Sequence, residues 1–178
     1  MLLALTGIGL ALVSCDPANP NNPNDQEVIT SLKITATSIT DTTVFAYADP
    51  DGIGGAAPTI DTAFLSPSGS YSVQLELLDE TKTPVDTITN EIATEADVHQ
   101  FFFGFSGVSI SSIYDDVDVN GKPVGLINVW SVGSNATGSV TVTLRHQLNK
   151  NGAGVASGDI TNAGGETDIE VTFPVVIQ

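Results

Sequence analysis

Asp168-Ile169-Glu170-Val171-Thr172-Phe173-Pro174-Val175-Val176-Ile177 is the stretch whose reading decides the fold. Ile169, Val171, Phe173, Val175 and Ile177 share one parity, while Asp168, Glu170 and Thr172 share the other. Side chains alternate across a strand, so this spacing describes a strand with one face buried and one in water. Glu166, Asp168 and Glu170 then read as a solvated series, with Arg145 as a cross-strand partner. Pro174 lacks an amide donor and marks an edge or a bulge.

The same period recurs upstream. Val28, Leu32, Ile34 and Ala36 fall on one face; so do Tyr71, Val73, Leu75 and Leu77, and so do Val140, Val142 and Leu144. Further strands are expected over 44–48, 98–105 and 124–131. Turn residues separate them, among them Asp49-Pro50-Asp51-Gly52, Ser66-Pro67-Ser68-Gly69 and Asn120-Gly121. Only 91–97, behind Asn90 as an N-cap, has a helical aspect. Seven to nine short strands with one apolar face each are buried by pairing two sheets. The expectation is therefore an all-β, immunoglobulin-like or Greek-key antiparallel sandwich over residues 28–178.

Composition bounds the function. The chain has 178 residues, with five Lys plus Arg against 21 Asp plus Glu, for a formal charge of −16. A nucleic-acid partner is excluded, because five scattered cations build no patch able to neutralise phosphates. At 41% apolar and 15% charged residues the chain is nonetheless rich enough to form a core.

Residues 2–13 are an apolar run too short to span a bilayer but of signal-peptide length. The run ends in Leu12-Val13-Ser14-Cys15, which resembles a bacterial lipobox, with Cys15, the only cysteine, as the lipid-bearing residue. Residues 1–14 are thus expected to be a lipoprotein signal peptide. Residues 15–27 follow as a Pro- and Asn-rich tether, reaching roughly 35 Å when extended. The expected address is the cell envelope, anchored to a membrane.

Three groups of residues have chemistry to offer. Asp116-Val117-Asp118-Val119-Asn120-Gly121 matches the front half of a calcium loop, with oxygen ligands from Asp116, Asp118 and Asn120. The alternative is a type I′ hairpin on Asn120-Gly121. His99 and His146, the only histidines, continue the apolar faces of their strands, which sets both at an end of the core. A transition ion there would need the rings to meet and a carboxylate, Glu95 or Glu166, to join them. Phe101-Phe102-Phe103-Gly104-Phe105 must point to both faces of its strand, so Phe102 is outward and either covered by a loop or part of a binding patch. There is no Gly-x-Ser-x-Gly, no His-Glu-x-x-His and no P-loop, so a non-enzymatic role is expected.

Taken together, several stretches resemble a family of small Bacteroidetes lipoproteins often encoded beside TonB-dependent outer-membrane receptors. They are Glu95 with His99-Gln100-Phe101-Phe102-Phe103, Tyr114-Asp115-Asp116-Val117-Asp118, Thr143-Leu144-Arg145-His146 and Gly164-Gly165-Glu166-Thr167-Asp168-Ile169. The resemblance implies an outer-membrane lipoprotein that acts as an accessory ligand- or metal-binding module for such a receptor. A structural or adhesive surface module is the alternative. Such proteins are sometimes placed under a type 1 periplasmic-binding fold, a two-lobed α/β architecture for which this chain is too short and too strand-rich. Asp41-Thr42-Thr43, Asp61-Thr62-Ala63 and Asp86-Thr87-Ile88 also resemble the O-glycosylation acceptor of that phylum, with Thr42, Thr62 and Thr87 as acceptors.

Overall fold

The computed structural model describes residues 27–52 and 54–178. The expected signal peptide, Cys15 and all of the expected tether except Glu27 lie outside the described residues. Ten strands form two sheets, as an all-β sandwich requires. The first sheet joins β1 (Ser31–Thr37), β2 (Thr42–Ala48), β3 (Thr59–Ile60), β5 (Ser70–Leu78), β7 (Ile110–Tyr114) and β8 (Ile127–Val132) in the order β3-β2-β1-β5-β8-β7. The second joins β4 (Ala63–Leu65), β6 (His99–Ser106), β9 (Ala136–His146) and β10 (Glu166–Ile177) in the order β4-β10-β9-β6. Among the described residues β3, β4 and β7 were not expected; β3 and β4 are too short to carry a period in sequence.

Inner faces follow the parity read from the sequence except at Val28, which lies ahead of β1 and is exposed. Leu32, Ile34 and Ala36 of β1 meet Tyr71, Val73, Leu75 and Leu77 of β5, Val140, Val142 and Leu144 of β9, and Val171, Phe173, Val175 and Ile177 of β10 in one buried cluster. Aromatic contacts fasten the sheets together. Trp130 of β8 receives Phe103 and Phe105 of β6 edge-on, at centroid distances of 5.8 and 5.3 Å, and Phe45 of β2 meets Phe173 of β10 at 5.1 Å.

Pro174 sits opposite Ser139 of β9, and on its other side β4 begins its pairing only at Val175. The proline therefore lies where the ladder toward β4 asks nothing of it. That β4–β10 pairing is parallel, unlike the antiparallel pairs elsewhere in the two sheets.

The helix is α1 (Ile88–Thr94), which starts three residues before the expected 91–97. Ile88 and Ile92, one turn apart, are buried, and Thr89 Oγ1 accepts the Leu77 amide at 2.7 Å and donates to the Leu77 carbonyl. These contacts with β5 set the start, not Asn90, and Thr87 takes the N-cap position without a side-chain bond. No described helix is long and apolar enough to cross a membrane.

Phe102 does face outward from β6, where a loop covers it. Phe102, Leu148, Val155 and Ala163 form a second small buried cluster, and Gln100, on the same face, donates to the Val155 carbonyl at 2.8 Å. Phe102→Ala is expected to cost about 3 kcal/mol, because the loop collapses onto nothing else apolar; a urea midpoint unchanged from the parent would show that the loop does not need it.

Candidate metal centre

His99 opens β6 and His146 closes β9, and the antiparallel register sets them directly opposite one another. Both side chains lie on the inner face, beyond the last apolar pair, at one end of the core. The rings stack at a centroid distance of 4.5 Å and an interplanar angle of 15°. The meeting that a transition-metal site requires is therefore present.

The carboxylate that reaches both rings is Asp168, which the sequence placed on the solvated face. The register of β10 against β9 shifts between Thr167 and Ile169: Thr167 opposes Arg145, Ile169 opposes Leu144, and Asp168 is the extra residue. A bulge of this kind turns two successive side chains to the same side. Asp168 and Ile169 both go inward, and the period read from the carboxyl end fails upstream of the bulge. Asp168 Oδ2 lies 3.6 Å from His99 Nε2 and Asp168 Oδ1 lies 3.8 Å from His146 Nδ1; the Asp168 and His99 side chains are fully buried. Glu166 pairs with His146 in the ladder, yet its side chain is exposed at the start of the strand. Glu95, at the C-cap of α1, brings a carboxylate oxygen and one nitrogen of each imidazole within 4.8 Å of one another.

These separations are too long for hydrogen bonds. Among the described residues His99 Nε2, His146 Nε2 and both oxygens of Asp168 are buried with no hydrogen-bond partner. Leaving such groups unmade costs stability, and native interiors rarely do so without a reason. Zinc held at 2.0–2.1 Å in a tetrahedron would separate its ligands by about 3.3 Å; the two Asp168–imidazole separations exceed that by a few tenths, and the set whose ligand atoms all lie within 4.8 Å of one another is Glu95, His99 and His146.

Protonation suits a ligand role as well. Burial pushes His99 down to about 4, against a raising hydrogen bond to the Glu95 carbonyl and a lowering effect of His146 and Lys150. The ring is neutral at physiological pH. Its Nδ1 lies 3.0 Å from the Glu95 carbonyl oxygen, which can only accept, so the proton resides there and the Nε2 lone pair points at Asp168. Metal-binding histidines are commonly oriented in this way. Asp168 itself is pushed up to about 6, first by burial and then by Glu166, with His146 and Arg145 opposing.

The Asp116 and Asp118 segment is organised differently from a calcium loop. Asp116 Oδ1 accepts the Gly125 amide at 2.7 Å, and its Oδ2 accepts those of Leu126 and Ile127. Asp118 Oδ1 accepts the amides of Asn120 and Lys122, and Oδ2 receives Lys150 Nζ at 3.0 Å. All four oxygens of the pair are engaged by N–H donors, and Asn120 is exposed. The turn also differs from type I′: Asp118 N–H donates to the Lys122 carbonyl, Gly121 N–H donates to the Asp118 carbonyl, and Gly121 has φ +73°. That is a three-residue hairpin loop with glycine in the left-handed position.

Lys150 was not singled out in the sequence. Buried with Asp118, its ammonium also donates to the carbonyls of Ala96 and Pro123. Burial favours a higher pKa for Asp118, but bonds from Lys122, Lys150 and Asn120 outweigh it and hold the carboxyl below its ordinary value. A lowered folded-state pKa means stability that is complete above the unfolded value, about 3.9, and is lost as pH falls through the folded one. Urea midpoints between pH 6 and pH 2.5 should therefore fall more steeply below pH 4 for the parent than for Asp118→Asn. Equal slopes would remove Asp118 from the acid response.

Arg145 does not pair with the β10 carboxylates as expected. Its guanidinium donates to the carbonyls of Gly164 and Gly165 and to Thr167 Oγ1, tying down the turn that leads into the bulge. Among the glycosylation residues Thr42 is exposed, whereas Thr62 and Thr87 are half-buried. A cleft of ≈ 370 Å³ lined by Lys33, Gln74, Glu76, Thr87, Thr89 and Asn90 shares no residue with the histidine centre. No family model, no curated protein and no solved structure matches this chain.

Proposed function

We propose that the chain is a lipid-anchored protein of the bacterial cell envelope whose sandwich binds a divalent transition ion through His99, His146 and Asp168, with Glu95 in reach. The observation that carries the reading is the set of four buried polar atoms on these three side chains that lack hydrogen-bond partners among the described residues. Two imidazoles with carboxylates and no thiolate suit zinc and neighbouring divalent ions, not soft Cu(I). The centre's donors are buried, so the cargo is an ion in preference to an organic molecule. The resemblance to receptor-associated lipoproteins supports a role in passing that ion to a TonB-dependent receptor in the outer membrane.

Zinc titration of the purified chain tests the binding. At a free concentration of a hundred times Kd, zinc should add about 2.7 kcal/mol of stability, read as a rise in melting temperature. His99→Ala combined with His146→Ala should abolish both the heat and the shift. A shift of equal size in the double variant would place the zinc elsewhere and end the proposal. The anchor is tested separately: Cys15→Ala should release the protein from membranes or block its processing, and unchanged membrane retention would refute lipidation.

A further inference from the structure

A strand at the border of a sheet has backbone N–H and C=O groups on one side with no ladder to join, and proteins shorten, cover or charge such edges. The border strands here are β3 and β7 in one sheet and β4 and β6 in the other. β3 and β4 have only two and three residues, and beyond β3 the Ala46 amide of β2 is taken by the Asp61 carboxylate at 3.0 Å, whose charge opposes a further strand. On β6 the Phe101 N–H donates to the Val124 carbonyl at 2.7 Å, and the Phe101 carbonyl accepts the Tyr114 hydroxyl at 2.7 Å. β7 is five residues long, and no described backbone group bonds its outer edge.

Two bonds fix which residues of β7 face β8: Gly133 N–H donates to the Ser109 carbonyl at 2.7 Å, and Asp115 N–H donates to the Ile127 carbonyl at 2.9 Å. Bonded pairs alternate along an antiparallel ladder, so Ser111 and Ile113 also spend their backbone groups on β8. Those of Ile110, Ser112 and Tyr114 point the other way. The usual guards are missing, since β7 has no Lys, no Pro and no register shift. Charge is missing as well: no Asp, Glu, Lys or Arg occurs in 98–114, which holds β6 and β7, or in 123–144, which holds β8 and most of β9. In a chain of formal charge −16 this border is a surface where two copies meet without repulsion. Ile113, 67% exposed, stands on its outer face beside its ladder partner Val129.

We propose that β7 is a self-association edge: two copies pair β7 with β7, antiparallel about a two-fold axis at Ser112, and join their six-stranded sheets into one. Symmetry sets the register. Ser112 meets the partner's Ser112 and Ile110 meets the partner's Tyr114, so every outward residue of both edges is used, in about six backbone hydrogen bonds. On the outer face Ile113 lies against the partner's Ser111, a side chain small enough to leave it room. An extended segment of another protein would satisfy the same groups; the two-fold match and a charge-free face on both sides favour a second copy. Nothing in this inference depends on the ion.

The test uses the full chain in density-matched detergent, sedimented to equilibrium from micromolar to submillimolar concentration. The protein mass should rise toward that of a dimer. Hydrogen exchange at the Ile110, Ser112 and Tyr114 amides should slow as concentration rises, while the Ser111 and Ile113 amides, bonded to β8, stay protected throughout. Ile113→Glu brings like charges to both sides of the axis and should weaken association about tenfold or more. Should that variant fail to fold, Ser111→Glu, at an exposed position on the same face, carries the same expectation. Val119→Glu adds an equal charge at a 94% exposed position in the hairpin between β7 and β8 and should stay within about twofold of the parent. A single-chain mass at every concentration, with the outer amides exchanging freely, would overturn the proposal. A single-chain mass with those amides protected would give the edge to another segment of the same chain and overturn it too. A dimer that neither edge variant weakens pairs through some other surface, which is equally fatal.

Discussion

Asp168→Asn should raise the melting temperature of the metal-free protein while weakening zinc binding by about 100-fold or more. The two effects have opposite signs because the residue has two roles. In the empty centre Asp168 is a carboxylate withdrawn from water and facing two imidazoles at distances too long to bond, so its desolvation is uncompensated. Asparagine keeps the shape, removes the charge, and offers an N–H to the lone pair of His99 Nε2. Relief of about 1–3 kcal/mol follows, equivalent to several degrees in a domain of this size. Zinc loses its anionic ligand in the same change. Thermal melts with and without zinc, together with a zinc titration, read both effects. A lowered melting temperature with retained affinity would mean that Asp168 is a structural group and that the centre lies elsewhere.

Lys150→Met should produce the largest loss of stability, on the order of 3–5 kcal/mol, because it leaves the Asp118 carboxylate buried without its cation. The ammonium gathers three segments: the passage from α1 to β6 at Ala96, the hairpin between β7 and β8 at Asp118 and Pro123, and the loop after β9. Adding Asp118→Asn to Lys150→Met removes the stranded charge and keeps an oxygen for the Asn120 and Lys122 amides. About half of the lost stability should return. Equilibrium urea unfolding of the three variants measures it, and a double variant no more stable than Lys150→Met would show that the carbonyl bonds, not the ion pair, matter most.

The fold was legible because most of its strands keep an unbroken alternation. Val140, Val142 and Leu144 predict the depth of His146, and the Phe101 face predicts that of His99, since one rule governs a strand throughout. Register is another matter. Nothing local in either strand sets His99 opposite His146; the pairing of β6 with β9 does. Asp168 was misread for a related reason, because a bulge reverses parity without announcing itself in residue type. The two glycines before Glu166 are the only hint that the chain bends there. The calcium reading rested on oxygen spacing in the Asp116 segment, which is local, whereas the Lys150 that engages Asp118 comes from a loop beyond β9.

The residues of the proposed centre are spread along the second half of the chain, from Glu95 at the end of α1 to Asp168 in the last strand. Contacts of such sequence separation form late in folding, because the intervening chain must first be ordered. No partial chain emerging from a ribosome or a translocon holds Asp168 together with the histidines. For a protein exported unfolded, the ion would be captured in the compartment where folding finishes. Under the proposed function, the bulge at Asp168 would set when the ion is loaded as well as what holds it.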